Sequence, residues 1–166
     1  MIHPKYIQGD LFSSAHYQNH EPVVIAHVCN NLGMWGAGFA KTFKQRYPKA
    51  FTEFSQWFTT EKKKGSSLLG MSQLVTLVEN NGASLYACNM VAQAGLYSKS
   101  NQHPLQYDSL QHCLTALERF CKHSNATVYM PKIGSGLARG DWGYICDLIV
   151  NNLSIRDIAV SIFEVD

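Results

Sequence analysis

A chain of 166 residues, 46% hydrophobic and 16% charged, has the length and composition of one packed domain spanning residues 1–166 rather than a disordered or fibrous segment. A net charge of +2 gives no electrostatic case for general nucleic-acid binding. No apolar run approaches the roughly 20 residues that span a bilayer, and the start of the chain lacks the apolar region of a signal peptide. Five cysteines, an odd number without a CxxC pair, point to a reducing, cytoplasmic setting in which Cys29, Cys88, Cys113, Cys121 and Cys146 serve as small core residues. His16 and His20 share a helical spacing but have no carboxylate or cysteine partners, so no metal site is expected.

Tyr6-Ile7-Gln8 reads as the end of a first strand, and Gly9-Asp10-Leu11-Phe12 turns the chain. Asp10 has two readings. It caps the turn, the ordinary role of Asp after a strand, or it accepts a hydrogen bond from an exocyclic amine; the residues alone favour the cap. After a polar stretch, Ser13 to Glu21, the run Val23 to Val28 is apolar on both faces and suits a central strand covered by helices.

That strand opens into Asn30-Asn31-Leu32-Gly33-Met34-Trp35-Gly36-Ala37-Gly38, and a helical pattern follows from Phe39 to Tyr47. A glycine-rich loop leading into a helix N-terminus aims backbone N–H groups at one spot and suits a phosphate or diphosphate. A tight turn using glycine for its geometry alone is the plainer reading. There is no Gly-Lys-Ser/Thr, and the Gly36-x-Gly38 pair lacks a third glycine, so neither a Walker loop nor a dinucleotide fingerprint is present.

Pro48 ends this helix, and Phe51, Phe54, Trp57 and Phe58 recur at helical spacing over Pro48 to Thr60, as core rather than a stacking platform. Glu61 to Gly65 is the helix end, its lysines complementing the terminal dipole. Met71 to Val78 and Ser84 to Val91 read as an antiparallel pair joined by an Asn80-Asn81-Gly82 turn, which makes the sheet mixed. Ala92 to Gln102, with Tyr97, is a loop long enough to cover a site, and Asn89 and Gln93 lead toward it. A helix starts at Pro104, Thr127 to Pro131 is a strand, and Lys132 to Trp142 is a second strand–glycine loop–helix junction. Ile145 to Leu153 is helical, and a last strand spans Ile155 to Val165. Alternating strands and helices give an α/β layered domain whose two glycine loops share one sheet edge.

The segments Gly9-Asp10-Leu11-Phe12, His27-x-Cys29-Asn30 with Trp35-Gly36-Ala37-Gly38-Phe39-Ala40, and Met130-Pro131-Lys132-Ile133-Gly134-Ser135-Gly136-Leu137 with Gly140-Asp141-Trp142 resemble, in order and spacing, the macrodomain family. The similarity is to the branch that processes ADP-ribose-1''-phosphate, and it covers essentially the whole chain. It implies a three-layer α/β/α sandwich around a mixed sheet, with ADP-ribose across the strand ends and no cofactor or metal. By this resemblance Gly9, Asp10 and Leu11 hold the adenine, reversing the plainer reading of Asp10. Ile133, Gly134, Ser135, Gly136 and Leu137 cradle the diphosphate, and Asn30, Gly33, Gly36, Ala37 and Gly38 surround the distal ribose and its 1'' substituent. The implied reaction is hydrolysis of ADP-ribose-1''-phosphate to ADP-ribose and phosphate. The alternatives are a non-catalytic ADP-ribose reader and a hydrolase acting on ADP-ribosylated protein or nucleic acid.

That last branch carries a lysine, and in some members an aspartate, where Gln93 and Ala138 stand here, a departure that weakens the case for its chemistry. Three residues remain as catalytic candidates. His27 is a general acid or nucleophile, or else a buried structural histidine. Asn30 orients a water or holds the 1'' substituent. Asp141 activates water, or else caps a helix.

Overall fold

In the computed structural model, which describes every residue except Asn19, Gly82 and Asp166, strands and helices alternate as the sequence pattern requires. The strands are β1 (Lys5–Gln8), β2 (Val23–Asn30), β3 (Ser72–Val78), β4 (Leu85–Gln93), β5 (Thr127–Pro131) and β6 (Val160–Glu164). The α-helices are α1 (Gly38–Arg46), α2 (Pro48–Lys63), α3 (Tyr107–Ser124) and α4 (Trp142–Asn152), with short 3-10 turns at Ser14–Tyr17 and Ser154–Arg156. All six strands form one sheet in the order β1-β6-β5-β2-β4-β3. Only the β3–β4 pair is antiparallel, so the sheet is mixed as expected.

The pleat divides the core in two. Along β2, Val24 and Ala26 pack with Leu110, Leu114 and Leu117 of α3 and with Ile145 and Ile149 of α4. Val23, Ile25 and Cys29 pack on the opposite face with Phe43 of α1 and Ala50 and Phe54 of α2. Period-two alternation through a strand apolar on both faces therefore yields a helix layer on each side. Four of the five cysteines are buried, and Cys146 is half-buried.

The structure corrects four boundaries. Helix α2 continues to Lys63, because Glu61-Lys62-Lys63 are good helix formers and Gly65 supplies the left-handed exit at φ +80°. Strand β4 runs on to Gln93, which bridges Leu105. The same bridge keeps Pro104 and Leu105 out of α3. The Leu105 N–H donates to Ala138 O at 3.1 Å and the Gln106 N–H to Ala92 O at 2.7 Å, which holds this stretch extended, with Gln106 at φ −106° and ψ +107°, until Tyr107. The last strand starts at Val160, since Ser154–Arg156 is a 3-10 turn closed by Asp157 at φ +59°. In the β3–β4 turn the Ala83 N–H donates to Asn80 O at 3.0 Å, while Gly82 lies outside the described residues. Among the described residues no helix is long and apolar enough to cross a membrane.

Five parallel strands end at the same sheet edge. The segments that follow β1, β2, β4 and β5 (Gly9-Asp10, Asn31 to Ala37, residues 94–106 and Lys132 to Asp141) therefore all leave the sheet there.

Candidate functional site

Three of those segments enclose a cavity of about 590 Å³. Its wall holds the stretch from Met34 to Ala40, the stretch from Pro131 to Gly134 with Gly136, Leu137 and Ala138, and Gln93, Leu96 and Tyr97. His27, Cys29 and Asn30 complete the β2 end of the wall. Of the residues expected around a ligand, Asn30, Gly36, Ala37, Gly38, Ile133, Gly134, Gly136 and Leu137 are brought together here. Gly9, Asp10, Leu11, Gly33, Ser135 and Asp141 do not line this cavity.

The first loop is shaped by Asn30. Its Nδ2 donates to Met34 O at 2.8 Å, and its Oδ1 accepts from the N–H groups of Leu32 at 3.0 Å and Met34 at 3.1 Å. Both ends of the amide are thus committed to the loop. Gly33 sits inside this turn at φ +74°, where a Cβ would press on the Phe58 ring at 3.0 Å. Helix α1 begins on the extended residue Ala37, which has no side chain to cap it. Among the described residues the N–H groups from Gly36 to Ala40 find no partner, and all five residues line the cavity. An uncapped helix N-terminus is an anion site.

The second loop is folded tightly on itself. The Gly140 N–H donates to Gly134 O at 2.7 Å, and Ser135 Oγ donates to Lys132 O at 2.9 Å. A Cβ at Gly140 would lie 2.6 Å from that Gly134 oxygen, so the close approach requires glycine. The N–H groups of Ser135, Gly136 and Leu137 have no partner among the described residues. Helix α4 differs from α1 in being capped. Asp141 Oδ1 accepts from the Tyr144 N–H at 2.9 Å, and its own N–H donates to Tyr107 Oη at 2.9 Å.

His27 is only 2% exposed and is packed among the rings of Trp35, Phe39 and Phe43. A directed chain of hydrogen bonds sets its tautomer. The Glu53 carbonyl accepts from Gln73 Nε2 at 3.0 Å, Gln73 Oε1 accepts from Asn89 Nδ2 at 3.0 Å, and Asn89 Oδ1 faces His27 Nε2 at 2.7 Å. Because a backbone carbonyl only accepts, each amide in the chain has one orientation, and the proton lies on Nε2. Nδ1 is buried with no partner among the described residues. A second proton there would bury both a charge and an unpaired donor, and burial pushes the pKa down to about 4. The ring is neutral at pH 7. The neighbouring Cys29 thiol is pushed well above its ordinary value by burial, so it is not a thiolate.

Among the described residues no carboxylate lines the cavity. Lys132 does, with Nζ paired to Glu164 at 3.1 Å. At the rim the Arg139 guanidinium lies 4.1 Å above the Tyr97 ring. Asp10 is exposed at the end of β1. Its Oδ1 accepts from the Phe12 N–H at 2.9 Å, and Oδ2 lies 3.7 Å from Arg46. Phe12 stacks on the wall residue Phe39 at 5.4 Å, which joins the Asp10 turn to the cavity. Gln93, Leu96 and Tyr97 are wall residues the motif pattern did not assign. Their sequence signal was a long loop leaving a strand end, which locates a segment but no side-chain direction.

A mixed sheet between two helix layers, with two glycine loops turning free N–H groups onto one cavity at the strand ends, defines an α/β/α anion-binding domain. The chain belongs to the macro domain family, whose pattern matches residues 26–149. It is 33% identical to the ADP-ribose 1''-phosphate phosphatase of Lodderomyces elongisporus, over 96% of this chain and 98% of that protein. It is 26% identical to the human ADP-ribose glycohydrolase OARD1, over 95% of this chain and 89% of that protein. The solved macrodomain protein from Streptomyces coelicolor superposes with a TM-score of 0.77 at 28% identity, covering 96% of this chain and 97% of that one.

Proposed function

We propose that this protein binds ADP-ribose in the cavity and hydrolyses a 1''-linked derivative, ADP-ribose-1''-phosphate, to ADP-ribose and phosphate. One observation carries the reading: two sets of uncommitted backbone N–H groups, Gly36 to Ala40 and Gly136 with Leu137, border one cavity that no carboxylate among the described residues lines. Such a wall holds anions at both ends of an extended ligand without like-charge repulsion. The L. elongisporus relative is named for this substrate.

In this reading the second loop cradles the diphosphate. The open N-terminus of α1 takes the charge of the 1''-phosphate as it builds up on the oxygens in the transition state. Amides fixed by the fold supply that stabilisation, so no metal or cofactor is invoked. Asn30 acts through the loop it shapes, His27 through the ring cluster it completes, and Asp141 through the end of α4. Asp10 offers its outer oxygen to the adenine amine. Arg139 on Tyr97 is a cation placed beside the phosphates. The whole chain, residues 1–166, acts as one domain, and its five unpaired cysteines suit the cytoplasm.

Calorimetric titration with ADP-ribose tests the binding. Wild type is expected to bind, and Asp10→Ala to bind about tenfold more weakly, the loss of one hydrogen bond to a charged group. Phosphate release from ADP-ribose-1''-phosphate tests the reaction. Failure of wild type to bind removes the reading.

A second reading, removal of ADP-ribose from a modified macromolecule, is favoured by the mouth of the cavity. Leu32, Met34, Leu96, Tyr97 and Leu137 are all exposed on the three loops, an apolar rim suited to a protein surface. Release of free ADP-ribose from a modified protein would establish it.

A further inference from the structure

We propose that Gln93 positions the attacking water, an inference that rests on the hydrolysis of the 1''-phosphate set out above. Its backbone is held on both sides. The Gln93 carbonyl accepts from the Asn31 N–H at 2.9 Å, and the residue bridges Leu105 on the other side. Its Cα is the cross-strand partner of Asn30, at the root of the first loop. The residue is 8% exposed and lines the cavity. Gln93 Nε2 donates to Gly95 O at 2.9 Å. A carbonyl oxygen cannot donate, so the amide has one orientation, and Oε1 is left as an acceptor with no partner among the described residues. Oε1 is not among the sealed polar atoms, so it keeps accessible surface.

The remaining polar side chains of the wall are committed, sealed or misplaced, and Trp35 Nε1, buried with no partner among the described residues, is a donor that cannot accept from a water. His27 uses Nε2 on Asn89, and its Nδ1 is sealed. Cys29 is a buried neutral thiol. Asn30 spends both amide atoms on its loop, and Lys132 is ion-paired. The Tyr97 hydroxyl belongs to a ring that is 47% exposed on the rim. Gln93 Oε1 is therefore the fixed, uncommitted acceptor in the buried part of the wall, next to the loop that takes the 1''-phosphate.

Accepting one hydrogen of a water turns the water's lone pair toward phosphorus, which is how an uncharged amide serves phosphoryl transfer. The water oxygen bonds to phosphorus and the bond from phosphorus to the 1'' oxygen breaks, its electron pair staying on that oxygen. One water hydrogen remains on the phosphate, and the other is delivered to the 1'' oxygen by way of a phosphate oxygen. Gln93 takes no proton.

The test is Gln93→Met, close in size and lacking the acceptor. Its ADP-ribose affinity and KM are expected within about threefold of wild type, with kcat about 100-fold lower, the scale of a misplaced reacting group. Gln93→Glu is expected to regain activity at acidic pH alone, where its carboxyl hydrogen donates to Gly95 O and its carbonyl oxygen accepts the water. Wild-type turnover in ¹⁸O-water is expected to leave one label in the phosphate. A Gln93→Met kcat within threefold of wild type overturns the proposal, as does an unlabelled phosphate, or a kcat loss matched by an equal loss of ADP-ribose affinity. Wild type that binds ADP-ribose but releases no phosphate removes the hydrolysis and the proposal together, whereas an unaffected Gln93→Met beside an active wild type removes the proposal alone.

Discussion

At the scale of single residues, the fold gives polar side chains tasks that their types leave open. His27, Asn30 and Asp141 all lie in or beside the two glycine-loop segments, yet their side chains bond mainly to the protein itself. His27 has a consequence for stability. Its folded pKa, about 4, lies below the 6.5 of an unfolded histidine. The unfolded chain therefore binds the extra proton first as pH falls, and stability drops between pH 6.5 and 4. The contribution is fully present above pH 6.5, and its complete loss amounts to about 3 kcal/mol. Urea unfolding at pH 7, 5.5 and 4 measures it. His27→Gln keeps a donor for Asn89 and is expected to flatten this part of the profile; parallel profiles would show that the histidine does not carry it.

At the scale of elements, the two helices that follow glycine loops have been finished differently. Helix α4 is closed by Asp141, whereas α1 starts on Ala37 in an extended conformation with its N–H groups open to the cavity. An uncapped helix forgoes about 1 kcal/mol of stability. Ala37→Asp is accordingly expected to raise unfolding stability by about 1 kcal/mol, since the backbone at Ala37 already suits an N-cap. The same carboxylate would occupy the anion site, and ADP-ribose binding is expected to weaken about tenfold or more. Denaturation and calorimetry on one preparation read both effects, and a gain in stability without a loss of binding would place the ligand elsewhere. The 94–106 segment is likewise tied down rather than loose. Asn31 Oδ1 accepts from the Gly95 N–H at 2.9 Å, and Asn101 Nδ2 donates to the carbonyls of Ala94 at 2.9 Å and Leu96 at 2.8 Å. Gln93, Leu96 and Tyr97 are thereby held against the cavity instead of swinging over it.

At the scale of the whole molecule, the site is a property of the sheet edge. The parallel strands bring four connecting segments to one side, and the cavity lies where three of them meet. Its wall belongs to elements that are far apart in the chain, so a ligand bound there links β2, β4, β5 and α1. Binding to the folded state alone adds about 2.7 kcal/mol at 100 times the dissociation constant. For a chain of this size that is a rise of roughly 5 to 10 °C in Tm. A thermal scan with and without ADP-ribose reads it, and an unchanged Tm at saturating ligand would contradict binding in this cavity.

Strand and helix identity, the mixed sheet and the position of both glycine loops were legible in the sequence, because side-chain periodicity and glycine placement are local properties. The double-faced apolar run at Val23 to Val28 predicted an inner strand, and the Phe51, Phe54, Trp57 and Phe58 spacing predicted α2. The boundaries that moved did so through non-local hydrogen bonds: Leu105 is held out of α3 by Ala138 and Gln93, residues the local pattern cannot pair with it. The motifs located the site but not the direction of its side chains. That His27 is sealed within an aromatic cluster, that Asn30 spends its amide on its own loop, and that Gln93 retains a free oxygen all depend on packing and hydrogen bonds between distant segments. Sequence thus determined which backbone surrounds the cavity, whereas the tertiary structure alone decided which polar atoms remain available to a ligand, because a side chain's availability depends on what every neighbouring element has already claimed.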